Sequence, residues 1–180
     1  MSRHEFEEFL KRHTEEEVTE QERVDWNKRK KEWVKNIGDF HQMVIGWLKD
    51  YVQEGKVTIT AVPTTVNEGP IGTYRTQALV LKIANQEVRL SPVGTLLIEA
   101  RGRIDMESGT GKVTLVLVDE RSEGPLAPML VFADKPSKSK EIDETKIYWT
   151  WKIATPPPSI RYIPLNEESF FDALMELINV

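Results

Sequence analysis

Glu99, Arg101, Arg103 and Asp105 alternate along one stretch and form the densest set of side chains able to do chemistry. On a β-strand, alternate residues share a face about 7 Å apart, so two arginines there could grip a phosphate or carboxylate in forked geometry. Arg89, on the preceding segment, could add a third cation. A plainer reading competes: the acids of the row neutralise its own cations, together with Arg89 or Lys112. That reading is favoured, because half-exposed antiparallel strands usually carry such charges.

The second concentration of positive charge is Lys28, Arg29, Lys30 and Lys31, followed by Lys35. A basic stripe on a helix could contact a nucleic-acid backbone. Asp25, Glu32 and the glutamates between positions 15 and 22 lie close by, however, and segment 1–25 holds nine acids against four bases. Such segregated charge suits a solvated face or a charge-matched protein partner better than a polyanion.

Other constellations fail on their own terms. A magnesium-dependent nuclease centre on Glu99 needs a second acid from a neighbouring strand, and the preceding one offers only Glu87. Ser108-Gly109-Thr110-Gly111-Lys112 has the outline of a phosphate loop, but Met106 stands where the first glycine belongs and Val113 where a hydroxyl residue belongs. It reads as a hairpin turn. His4 with Glu8, and His13 with Glu16 or Glu17, have helical spacing without the two-histidine pattern of a helical zinc site. His41 lies beside a tryptophan seam and reads as a packed residue. There is no Gly-x-Ser-x-Gly elbow and no cysteine, which removes a thiol nucleophile, thiolate metal sites and disulfides together. No catalytic, cofactor-binding or metal-binding residue is expected.

The elements that must position these groups follow from periodicity. The first 55 residues contain no proline and read as helix, with capping patterns at Ser2–Glu5, Thr14–Glu17 and Thr19–Glu22 that predict a break near 14–20. Trp33, Ile37, Phe40, Val44, Trp47 and Tyr51 step by alternating fours and threes, a heptad seam widened by Val34, Leu48 and Val52. Gly55 is placed to end the helix in the left-handed conformation.

From Lys56 the period becomes two. Strands are predicted over 57–62, 78–84, 87–91, 95–106, 111–119 and 146–154, with an edge strand at 129–133. A turn-rich stretch covers 63–73, and a charged, mobile segment 136–146. One hairpin turns at Asn85-Gln86, setting Leu81 against Leu90. Another turns at 107–110, setting Ile104 against Val113. Pro156-Pro157-Pro158 predicts an extended exit, and Asn166 caps a last helix with the stripe Phe170, Phe171, Leu174, Leu177 and Ile178.

Short turns between consecutive strands imply antiparallel pairing. The expected fold is α+β: an antiparallel β meander of about six strands, a long N-terminal helical arm (1–55) and a C-terminal helix packed on the sheet (56–180), one globular domain overall. The chain has 180 residues and a net charge of −5, enough for one core and unsuited to a general polyanion binder. The apolar run 125–133 is about half a membrane span, and charge follows Met1, so a cytoplasmic location and no membrane association are expected.

A 35-residue helix would be about 50 Å long, longer than a compact domain whose radius of gyration is near 16 Å. If the helix is unbroken, its N-terminal end must project or pack on another chain. The expected function is non-enzymatic protein binding through Phe6, Phe9, Leu10, Val24 and Trp26 and an exposed sheet face, to a protein partner or a second copy. The alternative is nucleic-acid or phosphate binding by Arg89, Arg101 and Arg103 with Lys28, Arg29, Lys30 and Lys31.

Overall fold

The computed structural model describes residues 3–95, 100–125 and 147–179, with backbone alone at 12–24 and at Pro70. Helix α1 (Arg3–Gln53) is uninterrupted over 51 residues, about 76 Å. The expected break at 14–20 is absent. Residues 3–37 contain neither glycine nor proline and are rich in Glu, Lys and Arg, so nothing in the backbone ends the helix there. It stops where Gly55 takes φ +72°. Lys56 N–H donates to the Tyr51 carbonyl at 2.9 Å and Gly55 N–H to that of Val52 at 3.0 Å, the paired bonds of a glycine-terminated helix.

Seven strands follow: β1 (Val57–Glu68), β2 (Gly72–Ile83), β3 (Gln86–Gly94), β4 (Ala100–Glu107), β5 (Lys112–Asp119), β6 (Trp149–Ala154) and β7 (Tyr162–Pro164). They pair antiparallel in chain order, so the α+β meander is present with one strand more than expected. Helix α2 (Glu167–Ile178) completes the chain. Asn166 Oδ1 accepts from Ser169 N–H and Ser169 Oγ from Asn166 N–H, both at 2.9 Å, a reciprocal cap at the expected place. The segments expected as an edge strand (129–133) and a mobile stretch (136–146) lie outside the described residues, as do 96–99 with Glu99.

Several local expectations are corrected. Residues 63–68 and 72–73 belong to strands, and the chain turns in a single 3₁₀ turn, Gly69–Ile71. Pro63 is accommodated because β1 is an edge strand, where a missing N–H costs no ladder bond. The β2–β3 hairpin turns at Ala84-Asn85, pairing Leu81 with Val88 and Leu79 with Leu90. Ala84, not Asn85, carries the positive φ, +53°. In the β4–β5 hairpin Ile104 faces Leu115, leaving Ser108–Gly111 as a four-residue loop. That loop has a job: Ser108 and Thr110 hydroxyls both donate to the Leu177 carbonyl at 2.9 Å, holding the end of α2. After β6 the prolines do not lead away. The chain folds back into β7, and Thr155 N–H donates to the Arg161 carbonyl at 2.9 Å.

The core lies between one sheet face and the C-terminal half of α1, with α2 alongside. Trp33, Ile37, Phe40, Val44 and Leu48 are buried against Leu79, Leu81, Val88, Leu90, Ile104, Met106, Leu115, Leu117 and Trp151. The seam passes through Leu48 rather than Tyr51 because an α-helix turns every 3.6 residues and drifts from a strict heptad. Trp47 and Tyr51 meet α2 instead, with ring centroids 5.3 Å from Phe170 and 5.8 Å from Phe171. Trp33 lies directly over Gly102, where an added Cβ would be 2.0 Å from the indole.

Candidate functional site

Two regions answer to the residues singled out in the sequence: the N-terminal part of α1, and a cleft where that helix meets the body. Among the described side chains Trp33 is the first fully buried one of α1, and about 45 Å of helix precede it. Residues 3–11 are all exposed, with Phe6, Phe9 and Leu10 at 57%, 55% and 47%. At about 100° per residue, Phe6, Phe9 and Leu10 point roughly away from the core-facing line of Trp33. Trp26 falls on that core line instead; it is half-buried, with the Arg29 guanidinium 5.9 Å from its ring. It is thus separated from the other proposed contact residues. The Val24 side chain is outside the described set.

The two arginines of the charged row are also separated. β4 bulges between Ala100 and Gly102: Ala100 pairs with Val118, Gly102 with Leu117. Ala100 therefore joins Val116 and Val118 on the face away from α1, whereas Gly102 lies under Trp33. Arg101, the extra residue of the bulge, reaches to the helix side. Its Nη1 donates to Glu32 Oε2 at 3.0 Å and its Cζ stacks 4.5 Å from the Trp149 ring centroid.

Arg103 stays on the outer face. Its Nε and Nη2 donate to the two oxygens of Asp105 at 2.7 and 2.9 Å, and Lys112 Nζ is 3.7 Å from the same carboxylate. Arg89 donates to Ser91 at 3.1 Å on the neighbouring strand. The forked arginine pair imagined for an anion does not exist, because the bulge points its members to opposite faces.

Arg101 instead lines a cleft of about 440 Å³ with Asp25, Lys28, Arg29, Glu32, Trp33, Asn36, Ala100 and Trp149. The cleft thus brings together three of the proposed cations, Lys28, Arg29 and Arg101. Lys30 and Lys31 are not among its walls; Lys31 is exposed and Lys30 half-buried.

One polar cluster had no signal in the sequence. Glu68 is 7% exposed and accepts from the Tyr74 hydroxyl at 2.6 Å, the Thr95 hydroxyl at 3.2 Å and the Thr95 N–H. Arg29 Nη2 donates to the Thr95 carbonyl, so the cluster ties α1 to the β1–β2 turn and the end of β3. Burial, then the hydrogen bond and charge of Glu68, push the Tyr74 phenol well above its usual range, so it remains a donor. Gly94 leaves the room: a Cβ there would be 2.3 Å from Glu68 Oε1. A glutamate and a threonine 27 positions apart carry no local pattern, and the arrangement reads as an internal brace.

His41 is buried, its Nε2 has no hydrogen-bond partner, and burial lowers its pKa below the usual 6.5. Among the described residues no group of three or more His, Cys, Asp or Glu is placed to hold a metal ion, and no helix is long and apolar enough to cross a membrane. Compared with known proteins, the chain matches no family model, no curated protein and no solved structure.

Proposed function

We propose that this chain is a self-assembling module in which the projecting part of α1 pairs antiparallel with the same helix of a second copy. The observation that carries the reading is the exposed Phe6 and Phe9 near the start of a helix that runs about 45 Å before Trp33, its first buried residue among the described side chains.

The second copy is favoured by the pattern along one line of α1. At about 100° per residue, positions 6, 9, 13, 16, 20, 24, 27, 31, 34, 38, 42, 45 and 49 fall on one side, well away from the core-facing line. Read along that line, the sequence runs Phe6, Phe9, His13, Glu16, Glu20, Val24, Asn27, Lys31, Val34, Gly38, Gln42, Ile45 and Lys49, with its acids on one side of Val24 and its bases, apart from His13, on the other. Reversed, it complements itself. With the two-fold axis near Val24, position 16 lies opposite Lys31, and Phe9 lies opposite Gly38, where nothing is within 4 Å of an added Cβ. Val34 and Ile45, 42% and 37% exposed, flank that gap. Large-into-small packing with opposite charges in register is how antiparallel helices select a partner. The outer sheet face, with Arg103 and Lys112 on Asp105, contributes nothing to this reading.

Light scattering on the full chain tests it. Wild type should run as a dimer, and Phe6→Asp with Phe9→Asp as a monomer that still unfolds cooperatively, with a thermal midpoint that no longer rises with protein concentration. Because the chain has no cysteine, Phe9→Cys and Gly38→Cys copies can be mixed and treated with a short bis-maleimide. Cross-linked heterodimers should form, and Phe9→Cys alone should not cross-link. A monomer at all accessible concentrations would refute self-assembly; a dimer indifferent to both aspartates would refute the arm as its interface.

A further inference from the structure

We infer that the cleft between α1 and the β4–β6 end of the sheet binds the phosphate group of a small phosphorylated molecule. In this arrangement Arg101 is the principal anion contact, Lys28 the second, and Glu32 an internal carboxylate that the incoming phosphate displaces. The inference does not rest on self-pairing: Asp25 and Glu32 lie roughly 80–120° round α1 from Phe6 and Lys31, with Lys28 between the two flanks.

The β4 bulge places Arg101 here, on the side opposite Arg103. The Arg101 Cζ lies 4.5 Å over the Trp149 ring centroid, a contact with the ring face that does not use up the guanidinium N–H donors. One of those donors already meets an anion, Glu32, at 3.0 Å. Both partners are nearly half exposed, at 46% and 43%, and an exposed ion pair of this kind holds weakly. A phosphate monoester carries more charge than a carboxylate and more acceptor oxygens, so it competes well for the same donors.

The local charge favours the exchange. Among the described residues of its walls, Lys28, Arg29 and Arg101 stand against Asp25 and Glu32, a balance of +1 on a chain whose net charge is −5. Arg29 is committed to the Thr95 carbonyl and serves to fix the wall. Lys28 is exposed, at the cleft's solvent side. The volume, about 440 Å³, falls in the ordinary range for small-ligand sites, and Trp149 offers an apolar wall to the organic part.

Calorimetric titration of the full chain with inorganic phosphate, adenosine monophosphate and adenosine tests this. The two phosphates should bind and adenosine should not, with adenosine monophosphate the tighter if the apolar wall contributes and equal to phosphate if it does not. Arg101→Gln should weaken binding about tenfold or more. Glu32→Gln should tighten it several-fold, a gain that loss of a merely structural ion pair would not produce. Phe9→Asp should bind as wild type, which separates this result from the fate of the dimer. The proposal is overturned if neither phosphate binds wild type or Glu32→Gln at millimolar concentration, if adenosine binds equally well, or if Arg101→Gln changes nothing.

Discussion

In its C-terminal half α1 presents Trp33, Ile37, Phe40, Val44 and Leu48 to the sheet, whereas in its N-terminal half Phe6, Phe9 and Leu10 face solvent. Backbone geometry is the same throughout. The C-terminal half is helical because packing rewards it; the exposed first turns, residues 3–11, have no such packing within the chain and rely on propensity and charge, which support a helix only marginally in water. The contrast locates stability in one half and leaves the other available for recognition.

Truncation should break the two halves very differently. Trp33→Ala is expected to cost about 3–5 kcal/mol in urea unfolding, as for other buried aromatics. Phe9→Ala should stay within about 0.5 kcal/mol when measured at concentrations where the chain is monomeric. A large loss from Phe9→Ala under those conditions would show that the two halves are not separable.

Gly102→Ala sharpens the same contrast from the sheet side. Its Cβ would stand 2.0 Å from Trp33, and overpacking of this kind costs about 1–3 kcal/mol. The penalty should largely vanish in a Trp33→Ala background, and a double-mutant cycle reads that coupling directly.

His41 gives the buried half a pH dependence. Its pKa is lowered in the fold, so stability is fully present above the unfolded value of 6.5 and is lost as pH falls through the folded value. Urea midpoints should therefore decline below about pH 6.5, and His41→Leu should flatten that decline. The smallest effect is expected at Ala84, whose φ of +53° suits glycine. Ala84→Gly should raise stability by a few tenths of a kcal/mol up to about 1.

Features with local causes were legible in the sequence: the Asn166 cap, the Gly55 terminus, the tryptophan seam and the meander itself. Both hairpin registers were displaced by two residues, and the apolar pattern could not have detected this, since a shift of two returns every side chain to the same face. The β4 bulge was hidden for a related reason. Ala100 and Gly102 are small enough for either face, so an even alternation through Met106 looked unbroken, and Arg101 was grouped with Arg103. Pro63 misled because only the finished strand order reveals which strand is an edge. The cleft and the Glu68 brace depend on contacts between distant segments, which no window of sequence contains.

Pro63 also bears on how copies of this chain avoid one another. β1 is 12 residues long and no described strand lies beyond it, so it offers an unpaired row of backbone donors and acceptors. Such a row is a template for sheet-to-sheet growth and aggregation. A proline near its middle removes one donor, and the threonines around it give a neighbouring strand little apolar surface to settle on. Edge-to-edge stacking is thereby discouraged along the one sheet border long enough to support it.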